Sequence, residues 1–143
     1  MNRAVYASSA SNEWETPKDF FAAVHAEFHF TLDAAATKEN RKCERYYDAK
    51  ADGLSKSWAN ETVWCNPPYG TALPKWVRKC HDEAEHATVV ALIPARTDTR
   101  WFHDYIYHKA EVRFIRGRLR FSGSKNSAPF PSMLVIWRRR NGA

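Results

Sequence analysis

Apolar residues recur along this chain in two rhythms, one helical and one extended. Phe20, Phe21, Val24 and Phe28 fall at helical spacing behind Thr16-Pro17, which predicts a helix capped by Thr16 with Pro17 in its first turn. Phe30-Thr31-Leu32 reads as a short strand that ends in Asp33-Ala34-Ala35-Ala36. A short polar helical stretch and a weak second strand at Arg45-Tyr46-Tyr47 follow, then a turn at Ala51-Asp52-Gly53-Leu54. Thr62-Val63-Trp64-Cys65 predicts a strand that stops at Asn66-Pro67-Pro68-Tyr69-Gly70, because two prolines cannot continue a ladder. Pro74 to His86 is predicted helical, with Trp76, Val77 and Cys80 on one side. Thr88 to Ile93 is a continuous apolar run, as in a strand buried on both faces, and it ends at Pro94-Ala95-Arg96. A helix over Thr99 to His108 follows. Strand segments at Glu111–Ile115 and Arg118–Phe121 flank Arg116-Gly117 as an antiparallel hairpin, and Met133–Trp137 is the last strand. Helices alternating with short buried strands predict an α/β domain with a mainly parallel sheet. Ligands of such sheets bind beyond the carboxyl ends of the strands, here Asp33, Asn66 to Tyr69, and Pro94 to Arg96.

Composition narrows this picture. With 143 residues, 27% charged and 44% hydrophobic, the chain is of ordinary globular make-up. That excludes a disordered tail protein, a collagen-like repeat and a two-domain enzyme with a separate recognition module. No run approaches the roughly 20 apolar residues of a membrane span. The start, MNRAVYASSASNEW, lacks an apolar signal core, so a cytoplasmic protein is expected. The expected division is a flexible stretch over 1–12, one domain over 13–137 and a basic tail over 138–143.

The charge is lopsided. Residues 1–95 hold 11 Lys/Arg and 13 Asp/Glu, whereas residues 96–143 hold 11 and 3, so the whole excess behind the net +6 lies in the last third. Such asymmetry predicts a polyanion partner, most simply nucleic acid, against the plainer reading of a basic solvated face. Cys43, Cys65 and Cys80 form no even framework and no C-x-x-C pair, so free thiols and no metal site are expected. The first of the five glycines is Gly53, and neither G-x-G-x-x-G nor G-x-x-x-x-G-K-[ST] occurs. Phosphate-cradling nucleotide loops are therefore excluded. None of the six histidines is assigned a catalytic role.

Asn66-Pro67-Pro68-Tyr69 carries the most chemistry. The prolines lack N–H groups and fix φ, so the loop is rigid. The Asn66 amide oxygen and the Pro67 carbonyl can then face one point, where a planar amino group would donate both hydrogens. That pairing shifts the amine nitrogen toward a tetrahedral, nucleophilic shape. Tyr69 is placed to stack on the attached ring, an interaction of roughly 1–3 kcal/mol. The alternative is a Pro-Pro turn with a capping asparagine.

With this tetrapeptide the chain resembles the N6-adenine and N4-cytosine amino-methyltransferases, whose mark is [DNS]-P-P-[YFW]. It is most similar to the small phage and prophage DNA N6-adenine methyltransferases of the Dam type. The resemblance spans residues 12–137 and includes Trp14-Glu15-Thr16-Pro17, Phe30 to Ala36, Asp52-Gly53-Leu54, Trp64 to Gly70, Pro94 to Thr99, Gly117 to Phe121 and Ala128 to Met133. It implies a class I, Rossmann-like methyltransferase fold, S-adenosylmethionine as cofactor and adenine N6 in double-stranded DNA as target. It also implies a bacterial cytoplasmic setting, phage- or prophage-encoded. Asn66, Pro67, Pro68 and Tyr69 match the catalytic loop. Thr16 and Pro17, with Trp14, match the N-terminal cofactor contact, Asp33 the acidic end of the first strand and Asp52 a later acidic motif; Asn66 also borders the cofactor. One departure is plain: Leu32-Asp33-Ala34-Ala35-Ala36 stands where the family carries Phe-x-Gly-x-Gly. The acidic residue after the weak second strand would be Asp48.

Each residue also has a structural reading: Asp33 as a helix cap, Asp52 as a turn residue, Trp14 as a core cover, Arg96 and Asp98 as surface ion-pair members. Arg96, Arg116, Arg118 and Arg120 are the predicted DNA contacts, with Arg113 at the hairpin and Arg100 and Lys125 nearby. The run Arg138-Arg139-Arg140 reads more simply as a flexible tail. The same tetrapeptide suits cytosine N4, an RNA base or a protein glutamine, and the missing glycine loop suits a nucleic-acid-binding module with a decayed cofactor site. Without a separate recognition module, a short or relaxed target sequence is expected.

Overall fold

The buried strand positions alternate between two apolar layers, and that alternation sets where every helix lies. The computed structural model describes residues 14–121 and 128–141. In chain order it holds helix α1 (Lys18–Phe28), strand β1 (Leu32–Asp33), a single 3-10 turn (Gly53–Ser55), β2 (Thr62–Cys65), α2 (Leu73–Glu83), β3 (Thr88–Pro94), α3 (Arg100–Tyr105), β4 (Glu111–Phe114) and β5 (Ser132–Trp137). One five-stranded sheet has the order β1-β2-β3-β5-β4. β1, β2 and β3 pair in parallel, and β5 enters antiparallel between β3 and β4. β5 therefore runs against the other strands of a mixed, mostly co-directional sheet.

Val63, Cys65, Val89, Ala91, Ile93, Met133 and Val135 pack under α2 and α3 with Trp76, Val77, Trp101 and Phe102. Their neighbours Trp64, Val90, Leu92, Leu134 and Ile136 face α1 with Phe21 and Val24. Both faces of β3 are thus buried, which is why its sequence is an unbroken apolar run.

Several expectations are corrected. Arg118–Phe121 is not a strand, and β4 pairs instead with β5, Phe114 opposite Met133 and Glu111 opposite Ile136. The Arg118 segment runs along residue 128, through the Ala128 N–H to Leu119 carbonyl bond of 2.7 Å. The local sequence suits a hairpin, but a six-residue apolar β5 covers β3 and β4 at once and buries far more surface. The polar stretch after Ala36 forms turns, not a helix, with Thr37 and Asn40 exchanging backbone-to-side-chain bonds of 2.7 and 3.1 Å. Arg45–Tyr47 contributes one parallel bridge, Tyr46 to Asp33. Thr16 does not cap α1; Pro17 takes that position with no side-chain cap, and Thr16 is drawn inward. The second helix ends at Glu83 and the third is confined to Arg100–Tyr105, its Thr99 cap accepting from the Phe102 N–H. Arg138–Asn141 do not hang loose: the N–H groups of Arg140 and Asn141 donate to the Ala84 and Glu85 carbonyls. The predicted flexible stretch at 1–12 and Lys125 lie outside the described residues. Among the described residues no helix is long and apolar enough to cross a membrane.

Candidate active site

β1 and β2 end side by side, Asp33 opposite Trp64. Just beyond Trp64, the chain leaves the sheet at Asn66-Pro67-Pro68-Tyr69. A cleft of about 310 Å³ opens at this edge, within the range of small-molecule sites. Trp14, Thr16, Asp33, Asp52, Asn66 and Pro68 line it, so the structure gathers nearly all of the cofactor residues expected from sequence. Pro17, Pro67 and Tyr69 are not in the lining.

Asn66 is held from both ends of its amide. Its Nδ2 donates to the Thr16 hydroxyl at 2.9 Å and to the Trp14 carbonyl. A backbone carbonyl only accepts, so this contact fixes which end of the amide is nitrogen. The Asn66 Oδ1 lies 2.9 Å from the Tyr69 hydroxyl, which is equally 2.9 Å from the Leu92 carbonyl of β3. Tyr69 has one hydroxyl hydrogen for these two acceptors. Its side chain is only 5% exposed, and its ring meets Phe130 edge-on at 5.6 Å. Burial pushes the phenol well above its usual pKa, so it stays protonated. A ring in this seat offers no open face to a base.

Phe130 belongs to a cluster that sequence reading did not single out. Trp14 packs edge-on against Phe121 and Phe130 at 5.4 and 5.3 Å. These rings tie the segment before α1 to residues that precede β5, a long-range packing with no local periodicity to reveal it.

The cleft is acidic. Glu15, Asp33, Asp48 and Asp52 line it against the lone lysine Lys42. Asp33 is 3% exposed and accepts from the backbone N–H groups of Lys42 (2.9 Å) and Ala35 (3.3 Å). Desolvation outweighs these bonds and raises its pKa to about 6. Asp33 therefore does not cap a helix; it is the last residue of β1 and a costly buried carboxylate. Asp48 accepts from the Ala51 N–H at 2.8 Å. Asp52 takes a left-handed backbone (φ 63°) and is exposed on the cleft rim.

Gly53 packs its backbone against the end of β1. A Cβ here would sit 2.2 Å from the Ala34 carbonyl oxygen and 3.2 Å from the Trp76 ring. The close backbone approach at the end of β1 is thus supplied by a glycine from the 3-10 turn, not from the β1 loop itself. The Trp58 indole N–H donates to the Gly53 carbonyl at 3.0 Å and pins it there.

The arginines divide into two sets. Arg113 grips Glu27 of α1 through two bonds of 2.6 and 2.8 Å and also Glu111 at 2.6 Å. Arg138 pairs with Glu111 and Arg140 with Glu85. Arg96, Arg116 and Arg120 are exposed and form no side-chain hydrogen bond or ion pair among the described residues, so the structure assigns Arg96 no surface carboxylate. Arg118, also exposed, makes one long bond of 3.4 Å to the Ala128 carbonyl. Arg96 follows β3 and the other three follow β4. Both strands run parallel to β2, so all four extend from the sheet edge that bears Asn66.

The chain is 34% identical over 109 residues to a DNA N-6-adenine-methyltransferase of Escherichia phage T1, an alignment covering 74% of this chain and 45% of the relative. It therefore spans less than half the length of that protein. A DNA N-6-adenine-methyltransferase of Haemophilus phage HP1 is 27% identical over 146 aligned positions, covering 96% of this chain and 84% of the relative. The sequence profile of one family matches residues 5–142, nearly the whole chain. The chain belongs to the DNA N-6-adenine-methyltransferase (Dam) family.

Proposed function

We propose that this chain transfers the methyl group of S-adenosylmethionine to the N6 amine of adenine in double-stranded DNA. The observation that carries the reading is the juxtaposition of Asn66 with an acidic cleft at the ends of β1 and β2. A cleft with four carboxylates and one lysine repels phosphorylated nucleotides and suits a ligand with a sulfonium and an ammonium. The residues present fit that cofactor: Asp33 for a cationic end, Asp48 for ribose hydroxyls and Asp52 beside the adenine part. When bound, the cofactor supplies an electrophilic methyl group. The parallel run of β1 to β3, with β5 inserted against it, supports a small class I methyltransferase core.

The chain's own part is positioning and electrostatics. The target base leaves the duplex, since its amine cannot reach the cleft inside the stack. The Asn66 Oδ1 and the Pro67 carbonyl accept the two amine hydrogens and leave the nitrogen lone pair aimed at the cleft. Stacking of Tyr69 on the base, as the motif implies, requires its ring to turn out of its buried seat. Until then its hydroxyl steadies Asn66. Arg96, Arg116, Arg118 and Arg120 contact the backbone or base edges.

The test is incubation of the purified chain with labelled S-adenosylmethionine and adenine-containing duplex DNA, with nucleosides resolved by mass spectrometry. N6-methyladenine is expected, and Asn66→Ala should reduce it at least about 100-fold while circular dichroism shows the fold retained. A product at cytosine N4, or full activity in Asn66→Ala, contradicts the assignment.

A further inference from the structure

We infer that the segment Trp14 to Thr16 is the orienting device of the Asn66 amide, with Thr16 as a positioning residue for methyl transfer. The inference rests on the functional reading above. An asparagine amide has one accepting and one donating end, and only the accepting end can hold a donor amine. Rotation of the amide by half a turn would present Nδ2 to the amine and abolish the interaction. Within the catalytic loop, the Tyr69 hydroxyl does not settle the matter, because a hydroxyl can donate to one end and accept from the other. One acceptor from outside the loop does settle it, because the Trp14 backbone carbonyl can only accept, and the Thr16 hydroxyl adds a second acceptor beside it. The Trp14 carbonyl and the Thr16 Oγ1 take the Nδ2 hydrogens and leave Oδ1 on the opposite side.

Both contacts are built to hold. Thr16 is 2% exposed, so its hydroxyl is withdrawn from competing water. Trp14 is fixed by its ring, which packs on Phe121 and Phe130. The arriving amine needs Oδ1, and the Tyr69 hydrogen has the Leu92 carbonyl as its other acceptor at the same distance. While Tyr69 keeps its buried seat, Oδ1 can pass to the substrate with no buried donor left unpaired. Trp14 and Thr16 also line the cleft, so the segment that meets the cofactor is the one that sets the amide.

The experiment compares Thr16→Val, which keeps the shape and removes the hydroxyl, with Thr16→Ser, which keeps the hydroxyl. Three readouts are needed: kcat at saturating cofactor, cofactor Kd by calorimetry, and the Asn66 side-chain amide proton pair by NMR in the protein without DNA. Thr16→Val is expected to lower kcat about tenfold, as for one lost hydrogen bond in the transition state. It should also shift one member of the Asn66 proton pair. Thr16→Ser should recover kcat to within about threefold and restore the resonance. A Thr16→Val protein whose kcat and Asn66 resonances match wild type overturns the inference. So does one in which only cofactor Kd changes, which would make Thr16 a cofactor contact alone. If the wild-type chain methylates no adenine, the functional reading fails, while the amide resonances still decide the clamp. Melting curves of both variants separate these outcomes from unfolding.

Discussion

Asn66 and Thr16 are fifty positions apart in sequence yet share a hydrogen bond of 2.9 Å, and that single contact changes what each residue means. Thr16 before Pro17 looks like a helix cap because Thr-Pro so often opens a helix. Its hydroxyl instead accepts from Asn66 in the Asn-Pro-Pro-Tyr loop. Gly53 is another residue whose role is tertiary. Local sequence offers an Asp-Gly turn, while the structure shows a backbone approach that no side chain can share. Gly53→Ala should force the 3-10 turn away from Ala34 at the end of β1, costing about 1–3 kcal/mol by analogy with overpacked cores. Thermal melting checks the stability, and calorimetry should show weakened cofactor binding at the same time.

Asp33 makes a prediction with a definite sign. Its carboxyl titrates near 3.8 in the unfolded chain and about 6 when folded, so the folded state holds the proton more tightly. Between these values the folded chain is protonated while the unfolded one is ionised. The group's contribution to stability is therefore full below the lower value and falls as pH rises through the window. A cation beside Asp33 favours the ionised form. Affinity for S-adenosylmethionine should accordingly rise as pH climbs through about 6 and then level off. Calorimetric titration in steps on either side of that pH measures this, and a flat profile would place the cofactor's cationic end elsewhere.

At the scale of elements, burial pattern decided what the sequence made legible. β3 announces itself because both its faces are covered. α2 does so through Trp76, Val77 and Cys80 on one side. The sequence marks β4 as a strand but not its partner β5, since it shows which residues prefer extended backbone and not which strand lies beside them. Pairing is settled by the area that β5 buries between β3 and β4. Hydrogen exchange should reflect this order. The amides of β3 and β5, each flanked on both sides, should exchange slowest. Those of β4 at the sheet edge, and of the two-residue β1, should exchange fastest among the strands. Equal protection of β4 and β3 would contradict the topology.

For the whole molecule, the lopsided charge resolves into two uses. Arg113, Arg138 and Arg140 secure α1, β4 and the end of α2 to their neighbours. Arg96, Arg116, Arg118 and Arg120 extend from the edge that carries Asn66. If these meet phosphates, each Arg→Ala change at 116 or 120 should weaken duplex binding for all sequences. It should also reduce the slope of log K against log salt by about 0.9 per lost phosphate contact. Arg113→Ala should leave that slope unchanged, because its charge is already spent on Glu27 and Glu111. Fluorescence anisotropy over a salt series distinguishes the two sets.

The sequence by itself determined the chemistry: an Asn-Pro-Pro-Tyr loop after a buried strand, an acidic strand end, no phosphate loop and a basic last third. These are local facts, set by residue types that prohibit or demand a conformation within a few positions. Only the tertiary structure decided that β5 parts β3 from β4, that Gly53 packs against the Ala34 carbonyl, that Tyr69 is buried, and that Thr16 accepts from Asn66. Each of these is a contact between distant segments, chosen by the surface that packing removes from water, and no local preference encodes it.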